Sequence, residues 1–273
     1  MTATVTRFAP SPTGLLHLGH AYSALYAARA GDRFVLRIED IDRGRYRRAF
    51  EDAIFEDLAW LGLHWEEPVR RQSAHFDDYA KALARLDELG VLYRCVCTRR
   101  QIATEIAAAG AAPQGPDGPV YPGTCRRLGP AEIGERPFAW RLDVAKALAQ
   151  VDPAVLTWID RQRGKQVADP VRHGDVVLAR KDTPTSYHLS VTVDDAIQQI
   201  TLVTRGEDLR PTTDIHRLLQ ALLGLPTPDY DHHRLLLDAD GARLAKRDGA
   251  RSLREYRDDG LTPEDVRRLV GLP

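Results

Sequence analysis

Three cysteines, Cys95, Cys97 and Cys125, are all that 273 residues contain. The number is odd and two of them stand one residue apart, so a disulfide framework of the secreted kind is not expected. Lysine is scarce too: five lysines stand against 33 arginines, a skew that reads as coding in a GC-rich genome. No run of 18 apolar residues occurs, which argues against a membrane-spanning helix. The opening MTATVTRFAPSPTG has no basic stretch leading into an apolar core, so no secretory signal is visible. These absences together predict a cytoplasmic protein without a membrane partner. Net charge is missing as well: 38 basic residues against 39 acidic ones leave −1. That balance, with 43% hydrophobic residues, argues against a disordered chain and against a polyanion-coating protein of high pI. It leaves room for a local basic face. No internal repeat is found.

At roughly 100–200 residues per domain, the length predicts about two domains and a sizeable core. The first 90 residues alternate strand and helix. Val5–Phe8 is short and β-prone, and Pro10, Pro12 and Gly14 break the chain after it. Leu18–Arg29 has helical composition, and RFVLRI over Arg33–Ile38 alternates as a strand does. An amphipathic helix is predicted over Arg45–Leu61, and a second from an N-cap at Ser73 to Leu89, stopping at Gly90. Such alternation implies a parallel sheet with helices on its faces. From Ala107 to Pro130 the chain is rich in Ala, Gly and Pro and reads as an exposed excursion. The apolar segments Phe138–Val144, Val155–Asp160 and Asp175–Ala179 then suggest a small mixed α/β subdomain. The α/β character returns near Ser186, with a buried strand over Ile200–Thr204 and an amphipathic helix over Pro211–Leu223. In the tail, Thr262 caps a short helix that carries Pro263 in its first turn.

The strongest chemical signal is Pro10-Ser-Pro-Thr-Gly-Leu-Leu-His17-Leu-Gly19-His20. It lies between a predicted strand and a predicted helix, where a doubly wound sheet places its ligand crevice. Gly14 and Gly19 allow close backbone approach. His17 and His20 lie three residues apart on one helical face and can donate to phosphate oxygens at a helix N-terminus, which favours anions.

This segment resembles the HIGH signature of class I aminoacyl-tRNA synthetases, and RFAPSPTGLLHLGH is most similar to the glutamyl/glutaminyl branch. Leu36-Arg-Ile-Glu39-Asp-Ile-Asp42 resembles the LRIEDTD element of that branch. Val203-Thr-Arg205-Gly-Glu-Asp208-Leu is similar to its VIRGEDL element, and Arg243-Leu-Ala245-Lys246-Arg-Asp-Gly-Ala250 to the KLSKRDGA form of the KMSKS loop. The four motifs lie in family order from residue 7 to residue 250. The fold implied is α/β: a class I synthetase Rossmann-type parallel sheet with an inserted zinc-stapled α/β subdomain and a short helical C-terminal part. The expected division is a first core half at 1–94, the insertion at 95–180, a second core half at 181–240, and the KMSKS-like loop with a helical tail at 241–273.

The resemblance also implies the chemistry. Glutamate is joined to the α-phosphate of ATP, with Mg²⁺, and pyrophosphate leaves, so the protein must supply positioned donors and cations more than a covalent nucleophile. His17 and His20 would bind the ATP phosphates beside Gly19, and Lys246 would clamp the pyrophosphate end. The loop departs from the pattern at Arg243 and Ala245, which replace the usual Lys and Ser. A glutamate site needs guanidinium groups for the side-chain carboxylate and an acid for the ammonium. The resemblance places that site on Arg7, Phe8, Ala9, Pro10, Ser11, Glu39, Tyr187 and Arg205, with Tyr187 in a segment similar to the family's PTYHFA. For Asp42 and Asp208, structural capping is an equally good reading.

The CxC spacing of Cys95 and Cys97, with Cys125 beyond, is one ligand short of a tetrahedral site, so spacing alone favours zinc and plain structural cysteines equally. The resemblance implies a structural Zn²⁺ held by Cys95, Cys97, Cys125 and Tyr121, with His173 as the fallback fourth ligand. Two basic clusters could meet RNA: Arg43, Arg45, Arg47 and Arg48, and Arg161, Arg163, Lys165 and Arg172. Acidic neighbours make each read first as a solvated face.

Family members that charge the tRNA 3′ end continue well beyond the KMSKS-like loop into a helical anticodon reader, whereas 26 residues follow Arg247 here. The length therefore points to the short paralogue of the branch. Its implied reaction esterifies L-glutamate to the cyclopentene-diol of queuosine in the anticodon stem-loop of tRNA(Asp), which stacking and phosphate contacts would hold. Two alternatives stay open: a truncated glutamyl-tRNA synthetase, and a non-catalytic paralogue that binds nucleotide or tRNA.

Overall fold

The computed structural model describes residues 3–108, 113–116, 118–236 and 251–272. The first third runs β1 (Val5–Phe8), α1 (Leu18–Ala30), β2 (Arg33–Ile38), α2 (Arg48–Trp60), β3 (Glu66–Arg71) and α3 (Phe76–Glu88). The middle holds β4 (Leu92–Cys95), α4 (Arg99–Ala108), the two-residue pair β5 (Gln114–Gly115) and β6 (Gly118–Pro119), α5 (Pro130–Ile133), β7 (Ala139–Leu142), α6 (Val144–Ala149), β8 (Thr157–Asp160), β9 (Gly164–Val167) and β10 (Val177–Ala179). Then come α7 (Tyr187–Ile197), β11 (Leu202–Gly206), α8 (Thr213–Leu223), β12 (Asp229–His233), α9 (Leu253–Asp258) and α10 (Pro263–Val270).

β1 pairs in parallel with β2, and β2 with β3. β11 pairs in parallel with β12, β12 with β8, and β9 closes that edge antiparallel. The two sheets meet where β1 lies beside β11: Thr201 donates its N–H to the Val5 carbonyl at 3.0 Å, and Val5 donates to the Thr201 hydroxyl at 2.8 Å. From that seam the strand order runs outward in opposite directions, β1-β2-β3 on one side and β11-β12-β8 on the other. Such a reversal opens a crevice at the strand ends. β8 and β9 lie within the 95–180 stretch, yet they join the β11–β12 sheet. The antiparallel sheet β10-β7-β4 is the body of the insertion.

Local departures from the sequence expectation have physical reasons. β2 carries two arginines among large apolar residues, but only Arg33 is exposed, because both faces are covered as in a parallel sheet. Helix α2 starts at Arg48, not Arg45, because the Asp42 carbonyl takes the Arg45 and Tyr46 N–H groups into a turn. Helix α3 starts at Phe76. Ser73 lies in the preceding 3-10 turn, held there by its N–H and hydroxyl, which both donate to the Asp40 carboxylate, and His75 takes the N-cap position.

One apolar core joins α3, α7 and α8 to β1, β11 and β12 through residues such as Tyr79, Leu189, Val203 and Leu219. A second lies between α1, α2 and the tail, where Leu253, Val266 and Val270 are buried against Ala21, Leu25 and Leu58. The tail helices therefore pack in the second core, against α1 and α2. Thr262 caps α10 as expected, accepting the Asp265 N–H.

Candidate active site

The crevice at the seam is a cleft of about 870 Å³. β1 brings Arg7 and Phe8, with Ala9 just beyond it; the residue after β2 is Glu39; β11 brings Arg205 and Gly206. The entry of α1 brings His17, Gly19 and His20, and the first residue of α7 is Tyr187. Nine residues singled out from the sequence thus line one cavity. Pro10 and Ser11 do not line it. Pro10 acts through its backbone, its carbonyl accepting the Glu39 N–H at 3.0 Å, and Ser11 is exposed. Lys246, with Arg243 and Ala245, lies outside the described residues. The residues flanking that segment reach the site: Leu235 and Leu236 line the cleft, and Ser252 bridges to His17.

At the α1 entry the two histidines cap their own helix. Gly19 donates its N–H to His17 Nδ1 at 3.1 Å, and His17 donates its N–H to His20 Nδ1 at 3.2 Å. Each Nδ1 is therefore an acceptor, which places the proton of a neutral ring on Nε2. The rings stand 3.9 Å apart. A Cβ on Gly19 would come within 2.9 Å of the His17 ring, so a glycine is required for this arrangement. Two N–H donors at the positive end of a helix form an anion site.

The opposite side of the cleft is built for a zwitterion. Glu39 makes no side-chain hydrogen bond among the described residues. Burial pushes its carboxyl up to about 7, against the pull of the Arg37 and Arg7 guanidinium groups. Arg7 is anchored by Asp195 at 3.0 Å and the Thr204 carbonyl at 3.0 Å. Arg205 donates from Nε to His232 Nε2 at 3.2 Å, from Nη1 to His216 Nδ1 at 3.2 Å, and from Nη2 to the Thr213 hydroxyl at 2.6 Å. The Tyr187 hydroxyl stands 3.5 Å from Nη1. Burial and the Arg205 charge hold His216 well below the usual imidazole range, so it stays a neutral acceptor.

Sequence reasoning missed what holds these groups. Arg37, fully buried, donates to Asp195 at 2.5 Å and to Gln198 at 2.7 Å, and lies 3.7 Å from Asp194. Asp194 in turn accepts from Arg70, Gln72 and Tyr79. The available signal was a pair of acids, Asp194 and Asp195, inside the otherwise apolar helix YHLSVTVDDAI. Likewise His232 and His233 sit in a buried strand. Of the two undecided acids, Asp42 caps locally, accepting from Arg45, while Asp208 lines the cleft.

The cysteines converge elsewhere, at the end of the β10-β7-β4 sheet. The Cys95, Cys97 and Cys125 sulfurs all lie within 4.8 Å of one another. The Tyr121 hydroxyl is 3.4 Å from Cys95 Sγ and 3.6 Å from Cys97 Sγ, and it accepts the Cys125 N–H at 3.0 Å. Burial pushes the Cys97 thiol up to about 11 and the Tyr121 phenol higher; against the same burial, hydrogen bonds from Tyr121 and Cys97 hold the Cys125 thiol below its usual value. Three sulfurs and a phenol oxygen fit a soft divalent ion such as zinc. His173 points its Nε2 at the Pro211 carbonyl (2.9 Å) and Asp214 (3.3 Å), partners outside the cysteine group.

Four of the eight residues of the basic clusters pair with nearby acids, Arg45 with Asp42, Arg48 with Asp52, Arg163 with Glu207 and Arg172 with Asp214. Among the described residues no helix is long and apolar enough to cross a membrane.

Residues 3–272 match the family described as tRNA synthetases class I (E and Q), catalytic domain. A relative from Rhodobacter capsulatus named glutamyl-Q tRNA(Asp) synthetase is 50% identical, over 98% of this chain and 100% of its own length. One of the same name from Nocardia farcinica is 43% identical, over 98% of this chain and 85% of its own. A solved glutamate tRNA ligase from Elizabethkingia meningosepticum, in complex with its amino acid, superposes with a TM-score of 0.77 at 28% identity. The match covers 98% of this chain and 60% of that one, so the chain spans under two thirds of the length of that structure.

Proposed function

The chain belongs to the class I tRNA synthetases of the E and Q type and is a ligase, and from that premise we propose that it activates L-glutamate with ATP and esterifies the glutamyl group to queuosine in the anticodon stem-loop of tRNA(Asp). In the first step a glutamate α-carboxylate oxygen attacks the α-phosphorus of ATP, a P–O bond forms, and pyrophosphate leaves. In the second a hydroxyl of the cyclopentene-diol attacks the acyl carbon, and AMP leaves with the C–O bonding pair. Glu39 would bind the substrate ammonium, Arg7 and Arg205 with Tyr187 the side-chain carboxylate, and Phe8 and Ala9 the wall around it, with Pro10 and Ser11 in the turn whose backbone holds Glu39. His17, Gly19 and His20 would bind the ATP phosphates, with Mg²⁺ carried by ATP. Lys246 would meet the pyrophosphate as it departs.

The observation that supports this best is the convergence of an anion site and a zwitterion site in one cleft at the seam of the two sheets. The names of these two relatives support queuosine-modified tRNA(Asp) as the acceptor. The cysteine group with Tyr121 would hold a structural Zn²⁺, with no position left for substrate. A division at 1–94, 95–180, 181–240 and 241–273 remains our proposal, with β8 and β9 counted with the second half of the core.

The test incubates enzyme, ATP and labelled glutamate with tRNA(Asp) that contains or lacks queuosine, and with tRNA(Glu). Label on queuosine-containing tRNA(Asp) alone is the expected result. Label on the 3′ end of tRNA(Glu) would make the protein an ordinary charging enzyme. No glutamate-dependent ATP–pyrophosphate exchange would make it a binding module.

A further inference from the structure

His232 makes no part of the cleft wall, yet its ring is fixed on every side. It is stacked parallel to Tyr230, with centroids 5.9 Å apart, and the Trp158 ring stands at 73° to it at 5.8 Å. Its Nδ1 lies 2.8 Å from Asp160 Oδ2, and its Nε2 accepts the Arg205 Nε–H at 3.2 Å. Asp160 is fully buried at the end of β8. Its other oxygen accepts the N–H groups of Gln162 (2.9 Å) and Arg163 (3.1 Å). A carboxylate can only accept, so Nδ1 must carry the ring proton and Nε2 must be the acceptor. The arrangement is a carboxylate–imidazole–guanidinium relay that runs from β8 through β12 to β11.

The relay determines which donors of Arg205 remain. A guanidinium has five N–H groups. His232, His216 and Thr213 take one each, on Nε, Nη1 and Nη2. The second N–H of Nη1 meets the Tyr187 hydroxyl at 3.5 Å, and the second N–H of Nη2 makes no other hydrogen bond among the described residues; these are the terminal donors that a carboxylate can take. Rotating the guanidinium to satisfy Nε elsewhere would redirect them.

We propose that His232, held in one tautomer by Asp160, is a positioning residue that sets the specificity of Arg205 for a carboxylate side chain. The proposal rests on the reading of Arg205 as a ligand for the glutamate side chain. Neither residue touches substrate; both act through Arg205.

Asp160→Asn is the sharpest probe. Its amide oxygen must stay with the Gln162 and Arg163 N–H groups, so the amide NH₂ faces Nδ1. The ring proton is driven to Nε2, against the Arg205 N–H, as a tautomer reversal does at other carboxylate–histidine pairs. His232→Ala deletes the acceptor. His232→Gln restores one, with the amide NH₂ turned to Asp160. Exchange kinetics are measured for these three and for Arg205→Ala, with the Michaelis constants for glutamate and ATP determined separately. The loss of one hydrogen bond to a charged group corresponds to a rise of about tenfold or more in the glutamate KM. We expect that rise in Asp160→Asn and His232→Ala, with the ATP KM moving less than about threefold and His232→Gln within about threefold of wild type. A glutamate KM unmoved in the first two, an ATP KM that rises in step, or a Gln variant as impaired as the Ala variant would each overturn the proposal. Arg205→Ala separates the two levels. If it alone raises the glutamate KM, only the role of His232 falls; if it too leaves that constant unmoved, the reading of Arg205 falls with it.

Discussion

Glu39 carries a pH signature that can be read in binding. Its folded carboxyl titrates at about 7, and a substrate ammonium is attracted only by the ionised form. Glutamate affinity should therefore weaken as pH falls below 7, approaching a tenfold rise in KM per pH unit. Glu39→Gln should flatten that profile while raising KM throughout. A flat wild-type profile between pH 6 and 8 would remove Glu39 from ammonium binding. The linkage to stability runs the other way. The folded protein keeps a proton that the unfolded chain releases near 4.5, so Glu39 lowers stability as pH rises from about 4.5 to 7. A thermal melt of ligand-free Glu39→Gln should lie above wild type at pH 8 and converge with it at pH 4.5. At the same scale, Lys246→Ala should slow adenylation by about 10²–10³-fold without a change in melting temperature, as the loss of one transition-state contact does. Exchange near the wild-type rate would exclude Lys246 from the chemistry.

Helix α7 shows why an element can matter beyond its end residue. It presents Tyr187 to the cleft at its start and Asp194 and Asp195 to buried arginines near its end. Asp195 forms an ion pair with both Arg7 and Arg37. Removing one partner from such a group leaves uncompensated buried charge, so Asp195→Ala should lose about 3–5 kcal/mol in chemical denaturation. A loss below about 1 kcal/mol would show that water reaches these arginines in the folded protein. β1, β2, β11 and α1 were legible because their signals are local: a β-prone run, proline breaks, an Ala-rich helix; β3 and β12, rich in charged residues and histidine, were not. The starts of α2 and α3 were not, because Asp42 and Asp40 hold the preceding turns. Arg37 was equally hidden, since an arginine in an alternating strand reads as solvent-facing until its distant acids are known.

For the whole molecule the cysteine group makes the most accessible prediction. It joins the end of β4 to the Tyr121–Cys125 loop, closing the small apolar cluster of Tyr93, Ile102 and Leu128. Metal analysis should find about one zinc per chain, and a chelator should lower the melting temperature while the cleft still binds ATP. At this size each kcal/mol lost corresponds to a fall of about 2–4 °C. An intact melt after complete chelation would leave the four residues as ordinary packing. The four motif segments, their order along the chain and the chemical kinds of side chain they supply were already determined by the sequence, because each depends on a short stretch of neighbours. Only the tertiary structure decided that β8 and β9 join the core sheet, that buried Asp194 and Asp195 hold Arg7 and Arg37, and that two neutral imidazoles hold Arg205. Those pairings join residues far apart in the chain, and burial, which sets their charge states, exists only once the sheets have met.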